Sequence, residues 1–328
     1  MLHNDTPHAG IYEIPLKSPH LLAIRKAVRK QLNKNTEYIL GLSGGVDSLA
    51  LAAALSAEDY KVKAVIVDHQ LQADHVEFSR KAYNNAVALG LDAEIVTVDV
   101  PVTSQGMEAE ARVARYKALC SYNKPVLIAH TMNDQVETVL MAMAKNTGVN
   151  SLTGMKPVSY RDGHVIVRPM LYDIERKDTK GACLELGIDW WEDPQNSDES
   201  YRRVAVRKRL IPVMQDVFGY DIVRRFADTF REVSQYKDIV DDMSQKLYQE
   251  CSSPYMLHTE KLLDEDETIV KNIIVMFLQD YNVPYHSAGV QHIYNMIVNW
   301  HGQGDAEFKG FTVGHHSKYI IMIKPKDM

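Results

Sequence analysis

Residues 37–55 read EYILGLSGGVDSLALAAAL, and the rest of the chain is organised around them. A short apolar run leads into a glycine-rich turn and then into an alanine- and leucine-rich run at helical spacing, which is the pattern of a strand, a loop and a helix. The glycines let the backbone turn sharply and bring bare N–H groups close to a ligand. The helix that starts near Asp47 adds the positive end of its dipole. The loop is therefore predicted to bind an anion, most simply a phosphate.

Two specific functions are consistent with this loop. Residues 41–45 (GLSGG) match G-x-S-x-G, the nucleophile elbow of serine hydrolases, with Ser43 as the nucleophile. Residues 43–48 (SGGVDS) equally match S-G-G-x-D-S, the pyrophosphate loop of enzymes that split ATP into AMP and pyrophosphate, and the missing Gly-Lys-Ser/Thr excludes the Walker loop. Asp47 and Ser48 favour the pyrophosphate loop, because a carboxylate helps to hold Mg²⁺ and hydroxyls bind phosphate oxygens. A turn that binds nothing would explain the glycines but not these polar residues.

Length and composition limit the class of protein. The 328 residues exceed one ordinary hydrophobic core, so at least two domains are expected. With 45% apolar and 24% charged residues the composition is that of a globular protein, and no apolar run approaches the roughly 20 residues that span a bilayer. Residues 1–20 contain neither a basic leader nor an apolar core. We therefore expect no signal peptide, no membrane association and a cytoplasmic location.

The cysteine pattern and the net charge further limit the functions that are consistent with the sequence. Cys120, Cys183 and Cys251 are scattered without a C-x-x-C pair, so they are expected to be reduced and mostly buried. Because several enzymes with this loop transfer sulfur through paired cysteines, the pattern argues against thiolation. The formal net charge of −6 does not suggest general nucleic-acid binding, so any such contact must use a local patch.

Strands and helices are predicted to alternate around and after the loop. The predicted strands after the first span 61–69, 92–98, 125–130 and 165–169, and the predicted helices span 18–33, 74–89, 107–120, 131–145 and 175–186. Parallel strands need helical crossovers of this kind. The fold class is therefore predicted to be α/β, with a doubly wound, mostly parallel sheet.

The chain is predicted to change character after Gly219. Helical patterns dominate there, and residues 306–324 alternate as a hairpin with its turn at His315 and His316. Up to Phe218 there are 26 Lys and Arg against 27 Asp and Glu, and from Gly219 onward 11 against 16. We therefore predict two domains, 1–217 and 218–328, the second mainly helical and ending in the hairpin.

Polar residues lie at the carboxyl ends of the predicted strands, where ligands bind in this architecture. Ser43 follows the first strand, Asp68 and His69 end the second, and His130 ends a later one. Independent motifs thus converge on one cleft.

The helix after His130 carries a second group. Asp134, Glu137 and Thr138 share one helix face at i, i+3 and i+4 spacing. Asp134 lies in the first turn, where a carboxylate caps a helix well in any case. Its position beside the phosphate loop nevertheless favours a metal-ligand or amine-binding role.

Two basic segments each have both a functional and an ordinary structural explanation. Residues 108–116 (EAEARVARY) open a helix on which Arg112 and Arg115 can point the same way, although intrahelical ion pairs explain them equally well. Residues 202–209 (RRVAVRKR) contain five basic residues with aromatic residues before them. That composition suits phosphate contacts with base stacking, or a solvated helix face.

The combined motifs resemble the tRNA(Ile)-lysidine synthetase family of the N-type ATP pyrophosphatase, or PP-loop, superfamily. The resemblance covers residues 20–215 and the helical module behind them. It is carried by SGGVDS (43–48), VDHQL (67–71), EAEARVARY (108–116), AHTMNDQVET (129–138), TGM (153–155), RPML (168–171) and EDPQN (192–196). SGGVDS alone would indicate only the superfamily, whereas the segments at 108–116 and 129–138 point to this family.

The resemblance implies a reaction and its ligands. Members of the family use ATP and Mg²⁺ to adenylate C2 of the wobble cytidine in tRNA(Ile) with a CAU anticodon, and the ε-amino group of L-lysine then displaces AMP. The resemblance also implies which residues bind ATP: Ser43, Gly44, Gly45, Val46, Asp47 and Ser48 at the pyrophosphate, with Asp68 and His69 near the nucleoside. Mg²⁺ is expected at Asp47 and Asp134.

The same resemblance implies a catalytic group and further substrate contacts. The catalytic residues are expected to be Asp47, Arg112, Asp134 and Glu137. Glu110 joins Asp134 and Glu137 as a candidate for the lysine ammonium, and His130 is assigned to the substrate. Arg112, with Arg115 as the second choice, is expected to meet phosphates or developing charge, and Arg203 and Arg207 are expected to meet tRNA. Asn133 departs from the family, which often has Asp there, so Asp134 should be the essential acid.

Several alternatives stay open from the sequence. Within the fold, a tRNA thiolase or an amidotransferase-type synthetase is the nearest alternative. A serine hydrolase using Ser43 and a non-catalytic tRNA-binding protein with a decayed ATP site belong to other classes. The sequence also leaves room for a homodimer.

Overall fold

The computed structural model describes residues 12, 18–71, 74–101, 106–145, 149–192 and 198–326. The chain divides into two compact units, Met1–Arg231 and Glu232–Met328, here called unit 1 and unit 2. Within the described ranges, no helix is both long and apolar enough to cross a membrane.

Unit 1 is built around a six-stranded sheet. Its strands are β1 (Tyr38–Gly41), β2 (Val62–Asp68), β3 (Asp92–Thr97), β4 (Val126–Leu127), β5 (Val158–Arg161) and β6 (His164–Val167). They lie in the order β3-β2-β1-β4-β6-β5, and every neighbouring pair is parallel except β5 and β6. The predicted mostly parallel sheet is therefore confirmed.

Helices connect these strands and continue behind them. They are α1 (Pro19–Gln31), α2 (Val46–Ala57), α3 (His75–Ala88), α4 (Met107–Cys120), α5 (Met132–Met143), α6 (Arg176–Leu186), α7 (Arg202–Ala205), α8 (Ile211–Phe218) and α9 (Ile222–Cys251). A 3₁₀ turn spans Val149–Thr153, and a π-helical turn, Val206–Leu210, joins α7 to α8.

The apolar pattern explains where the core of unit 1 lies. Residues 49–55 of α2 are all buried, because this helix is apolar on every side and packs against α1 and α6. α1 buries only one face, which includes Leu21, Ile24 and Val28. β2 is a nearly continuous apolar run, as expected for a strand covered on both faces.

The strand order places one crevice at the sheet edge. Because β1 lies between β2 and β4, the direction of winding reverses beside β1. The loops after β1 and β4 therefore open side by side at the carboxyl ends of their strands. The first is the loop at 42–45, and the second contains His130 and Thr131.

Unit 2 has its own core between helices and a second sheet. Its helices after α9 are α10 (Glu267–Asp280) and α11 (Ser287–Val298), and a 3₁₀ turn spans Glu260–Leu262. Its antiparallel strands are β7 (Ser252–Ser253), β8 (Met256–His258), β9 (Ala306–Phe308), β10 (Phe311–Ser317) and β11 (Ile320–Pro325), in the order β7-β8-β11-β10-β9. Ile273, Phe277 and Val313 are fully buried in one apolar cluster.

The predicted hairpin is present as β10 and β11, with a difference at its turn. Lys318 and Tyr319 form the turn, whereas His315 and His316 lie inside β10, so their predicted turn position was wrong. His315 is held there because its Nε2 atom lies 2.9 Å from the Met296 carbonyl oxygen.

Unit 1 ends further along the chain than the predicted boundary between the domains. Gly219 does end α8, in the left-handed conformation (φ +69°). α9 nevertheless continues the core of unit 1, because Val223, Ala227 and Phe230 pack in one cluster with residues of α5. Unit 1 therefore includes the first part of α9 and ends at Arg231, and the domains 1–217 and 218–328 stay a prediction.

Candidate active site

The loop between β1 and α2 has the geometry of an anion site. Gly44 has φ +77°, and a Cβ atom there would lie 2.9 Å from Ala82 Cβ, so only glycine fits. Ser43 Oγ and Ser48 Oγ lie 3.2 Å apart, and Ser48 Oγ donates to the Gly45 carbonyl at 2.9 Å. Gly45 provides no side-chain cap for α2, so the first N–H groups of the helix face the loop. Hydroxyls and N–H groups thus converge where phosphate oxygens would bind.

The contacts of Ser43 do not favour a serine hydrolase. Among the described residues, the hydrogen-bond partners of its hydroxyl are the Ser48 hydroxyl and the Gly45 N–H. A nucleophilic serine needs an adjacent base, usually histidine. The hydroxyl is instead arranged as part of the loop.

Asp134 has two roles at the start of α5. Its Oδ2 atom accepts hydrogen bonds from the Thr131 N–H and hydroxyl, both at 2.9 Å, in a capping box. Its Oδ1 atom faces the site and lies 3.3 Å from Arg176 Nη2 and 3.0 Å from Arg203 Nη2. The capping role of Asp134 is thus present, and it leaves Oδ1 available for the functional role, which stays a prediction.

Glu137 lies one turn further along α5 and is fully buried. Arg203 Nε lies 2.7 Å from its Oε2 atom and Arg207 Nε lies 2.6 Å from its Oε1 atom. Arg203 lies in α7 and Arg207 in the π-helical turn that follows it, and such turns are frequent at functional sites. Two residues predicted to contact tRNA thus bind Glu137, whereas Arg202 and Arg209 of the same basic run are exposed.

Arg176, the first residue of α6, connects the loop to α5. Its Nε atom donates to Asp47 Oδ2 at 3.2 Å, and its Nη1 atom lies 3.7 Å from Glu137 Oε1. The Thr179 hydroxyl donates to Asp47 Oδ1 at 2.5 Å. We call the resulting group of three carboxylates and three guanidinium groups the carboxylate network: Asp47, Asp134, Glu137, Arg176, Arg203 and Arg207.

The electrostatics of the carboxylate network are dominated by burial and by these ion pairs. Burial alone would raise the pKa of Asp134, but Arg176 and Arg203 outweigh it and hold that pKa well below its ordinary value. Burial and the nearby Asp134 raise the pKa of Asp47 despite Arg176. Burial opposes the charge of Arg176, yet the three carboxylates raise its pKa. Asp134 is therefore a carboxylate at neutral pH.

His130, after β4, is a neutral hydrogen-bond donor. Burial, together with Arg168 and Arg203, lowers the pKa of His130 to about 3. Arg168 Nε donates to His130 Nδ1 at 3.2 Å, and Lys156 O and Ser159 Oγ hold the same guanidinium at 2.9 Å each. Because a guanidinium can only donate, Nδ1 accepts and the ring proton is on Nε2. His130 thus offers an N–H group rather than a base.

A second set of charged residues surrounds Tyr116. The guanidinium groups of Arg112, Arg115 and Arg161 lie 5.3, 5.7 and 4.6 Å from the centre of its ring. Burial, with Arg112 and Arg161, lowers the pKa of Arg115, and its buried Nε atom has no hydrogen-bond partner within the described part of the chain. A buried cation in this state is suited to a bound anion. We call Arg112, Arg115, Arg161 and Arg168 the cationic cluster.

Asp68 is fixed at the end of β2. His75 Nδ1 lies 2.8 Å from its Oδ2 atom, and the Gln70 N–H donates to its Oδ1 atom at 2.9 Å. Burial and the nearby Arg115 lower the pKa of His69, whose buried Nδ1 atom has no hydrogen-bond partner in the described ranges. The strand end therefore presents an ordered carboxylate and a neutral histidine toward the crevice.

The predicted site residues are brought together to different degrees. The network unites Asp47, Asp134 and Glu137, and Arg115 is close enough to lower the pKa values of His69 and His130. The other predicted members, Glu110 and Arg112, lie on the first turns of α4. Glu108 and residues 193–196 of the predicted motifs lie outside the described side chains.

Sequence reasoning missed several residues of the site. Arg176 carries one detectable signal, because a cation at the first position of a helix opposes the helix dipole. Arg168, Thr179 and His75 act through contacts that only the fold reveals. Trp191 also supports the loop, because its backbone N–H donates to the Gly44 carbonyl at 3.2 Å.

The carboxylates fit a Mg²⁺ ion that is bound together with phosphates. Within the described ranges, no three His, Cys, Asp or Glu side chains lie close enough together to hold a metal. Mg²⁺ is usually held by one or two carboxylates with substrate phosphates and water. Asp47 and Asp134 both contact Arg176 beside the phosphate loop, so two carboxylates are available there.

The doubly wound sheet, the phosphate loop and the acidic helix start define an ATP-binding domain of the PP-loop class, and the PP-loop domain model matches residues 20–214. A tRNA(Ile)-lysidine synthase from Corynebacterium glutamicum is 36% identical over 90% of this chain and 90% of its own. Another from Rhodococcus erythropolis is 33% identical over 90% of this chain and 91% of its own. The chain therefore belongs to the tRNA(Ile)-lysidine synthase family.

A solved structure supports the fold. The U34-tRNA thiolase NcsA from Methanococcus maripaludis, with its [4Fe-4S] cluster, aligns with a TM-score of 0.52 at 17% identity, covering 65% of this chain and 78% of its own. At this identity the likeness shows a common fold and nothing about the reaction.

Proposed function

We propose that this protein is an ATP-dependent ligase that attaches L-lysine to C2 of the wobble cytidine of tRNA(Ile) with a CAU anticodon, releasing AMP and pyrophosphate. The observation that carries the proposal is the phosphate loop beside the carboxylate network at one sheet edge. The family supports it, since its members are named for this product. A cytoplasmic location is part of the proposal.

The first step would be adenylation of the tRNA. The O2 atom of the cytidine attacks the α-phosphorus of ATP, and the bond to pyrophosphate breaks. Ser43, Ser48 and the first N–H groups of α2 would bind the leaving pyrophosphate. Mg²⁺, held by Asp47 and Asp134, would supply positive charge to the phosphate oxygens.

The second step would be displacement of AMP by lysine. The ε-amino nitrogen, after losing a proton, forms a bond to C2, and the bond between C2 and the phosphorylated oxygen breaks. Asp134, Glu137 and Glu110 would attract and orient the ammonium group. Arg115 of the cationic cluster would offset the charge of the departing AMP, and the Nε2–H of His130 would donate to the reacting base.

The tRNA contacts would lie on the outer side of the basic run. Arg202 and Arg209 are exposed, whereas Arg203 and Arg207 bind Glu137. We therefore propose that Arg202 and Arg209 meet the RNA backbone, and that Arg203 and Arg207 affect tRNA through the position of Glu137. Unit 2 would supply further contacts.

Thiolation is a less suitable alternative. Cys120, Cys183 and Cys251 are free, buried and in separate elements, whereas sulfur transfer through cysteine needs accessible thiols. Burial raises the pKa of Cys183 to about 12, which keeps that thiol protonated.

The direct test is incorporation of radiolabelled L-lysine into tRNA. Purified protein is incubated with ATP, Mg²⁺ and tRNA(Ile) with a CAU anticodon, with tRNA(Met) and omission of ATP as controls. ATP-dependent labelling of the isoleucine tRNA alone is expected. If AMP is released with another tRNA or nucleophile while lysine is never incorporated, the protein has a different modifying activity.

A further inference from the structure

Arg176 lies between the phosphate loop and α5, at the centre of the carboxylate network. Its Nε atom lies 3.2 Å from Asp47 Oδ2, and its Nη2 atom lies 3.3 Å from Asp134 Oδ1. These carboxylates are the two that would hold a divalent cation. A guanidinium group thus binds the oxygen atoms that the metal would need.

The surroundings of Arg176 leave one of its donors without an acceptor. The Nη1 atom is buried and has no hydrogen-bond partner among the residues that the structure describes, and its 3.7 Å distance to Glu137 Oε1 is too long for one. Arg176 also begins α6, where the helix dipole disfavours a cation. The donor lies beside a loop whose hydroxyls and N–H groups are suited to phosphate oxygens.

The charges of the network balance in the absence of a ligand, because three carboxylates face three guanidinium groups. A divalent cation that entered alone would add uncompensated positive charge in a largely buried place, which costs free energy. A nucleoside triphosphate that enters with the metal supplies the missing negative charge. Its phosphate oxygens are also the acceptors that the planar fork of a guanidinium fits best.

We propose that Arg176 is a phosphate-binding residue of the ATP site. Asp47 and Asp134 hold its guanidinium before the nucleotide binds, and it transfers to the β- and γ-phosphate oxygens when the metal takes these carboxylates. It follows that the nucleotide-free protein binds divalent cations weakly at this place. The inference rests on the proposed use of ATP and is independent of tRNA and lysine.

Two binding measurements on the full chain, without tRNA or lysine, test this role. Mn²⁺ is titrated into nucleotide-free protein and followed by the electron paramagnetic resonance signal of the free ion. The non-cleavable analogue α,β-methylene-ATP is titrated with Mg²⁺ by calorimetry. Arg176→Met is expected to bind Mn²⁺ roughly 10-fold more tightly than the wild type, and the analogue at least roughly 10-fold more weakly. AMP, which lacks the outer phosphates, is expected to bind both proteins equally.

Arg224→Met is the matched control, because Arg224 contacts Glu175 at the same end of α6 at 3.3 Å but lies outside the network. Both of its affinities are expected to match the wild type. Arg176→Lys keeps the charge without the fork and should give intermediate values. It also carries the test if Arg176→Met shows no cooperative thermal unfolding.

Three results would overturn the role: an unchanged affinity for the analogue, an equal loss of AMP binding, or an unchanged affinity for Mn²⁺. The outcome is separable from the proposed function. Analogue binding that depends on Arg176, in a protein that attaches no lysine to tRNA, would uphold this inference and overturn the ligase activity.

Discussion

The pKa values of the buried arginines are shifted in opposite directions in the two groups of charged residues at the crevice. In the carboxylate network, Arg176 and Arg203 are paired with carboxylates, and their pKa values are raised although burial opposes this. In the cationic cluster, burial and neighbouring arginines lower the pKa values of Arg115 and Arg168. The charges of the network therefore balance without a ligand, whereas the cluster holds buried positive charge that an anion would stabilise.

Because of this difference, the arginines of the two groups should contribute differently to folding stability and to ligand binding. A paired arginine contributes to stability as well as to function, because its loss leaves a buried carboxylate without its partner. A buried arginine in a positive environment costs folding free energy and is explained only by what it binds. Substitutions in the two groups should accordingly differ in their effects on the free energy of unfolding and on activity.

The largest effect is expected for Asp134→Asn, which removes the negative charge at the centre of the network. Loss of a carboxylate that would hold Mg²⁺ and orient the lysine ammonium group should lower the rate of lysine incorporation roughly 1,000-fold. Initial rates with saturating ATP and tRNA measure it.

Asp178→Asn is the control for Asp134→Asn. Asp178 occupies the same third position in the capping box of α6 but lies outside the network. A similar fall in rate for both variants, or a nearly normal rate for Asp134→Asn, would contradict the role of Asp134.

The next effect compares one arginine from each group. Arg207→Met should lower the free energy of unfolding by about 2 kcal/mol, because Glu137 loses one of its guanidinium partners while fully buried. Arg115→Met should leave the free energy of unfolding unchanged or raise it, and yet lower kcat/KM roughly 100-fold. Urea unfolding and steady-state kinetics on both variants measure these quantities. Equal destabilisation by the two substitutions would remove the distinction between the groups.

The effect that is smallest at neutral pH concerns His130, which lies between the two groups. The folded pKa of His130, about 3, lies below the ordinary histidine value of 6.5, so the unfolded chain binds an additional proton between these values. Stability contributed by neutral His130 is therefore present above pH 6.5 and is lost as the pH falls toward 3, with a slope of up to about 1.4 kcal/mol per pH unit.

The substitution His130→Gln should flatten the acid limb of the stability curve by this amount. His164→Gln serves as the control, because His164 lies at the start of β6, away from the α5 carboxylates. Parallel curves for wild type and His130→Gln between pH 4 and 6 would mean that His130 is not held neutral.

Much of the fold could be predicted because local pattern and tertiary structure agree. The bounds of α4 were predicted to the residue, and the loop at 43–48 was placed between a strand and a helix by composition alone. Prediction was weaker where elements are short. β4 has only two paired residues, and β7 and β8 are too short to show an alternating pattern.

The site was predicted in outline, and its pairings were not. Spacing on one helix placed Asp134 and Glu137 together. The sequence shows that Arg203 and Arg207 are four residues apart, but not that both pair with Glu137, which lies 66 and 70 positions earlier on another helix. The contact between Arg176 and Asp47 joins residues 129 positions apart, so it follows from topology rather than from any motif.

The most direct measurement of the proposed reaction follows the adenylate rather than the lysine. The protein is incubated with ATP labelled at the α-phosphate and tRNA(Ile) with a CAU anticodon, first without lysine and then with unlabelled lysine added. We expect label to enter the tRNA in the first phase and to leave as AMP in the second, while lysine remains on the wobble cytidine. Label that never enters the tRNA, or that lysine does not release, would contradict ligation through an adenylated tRNA.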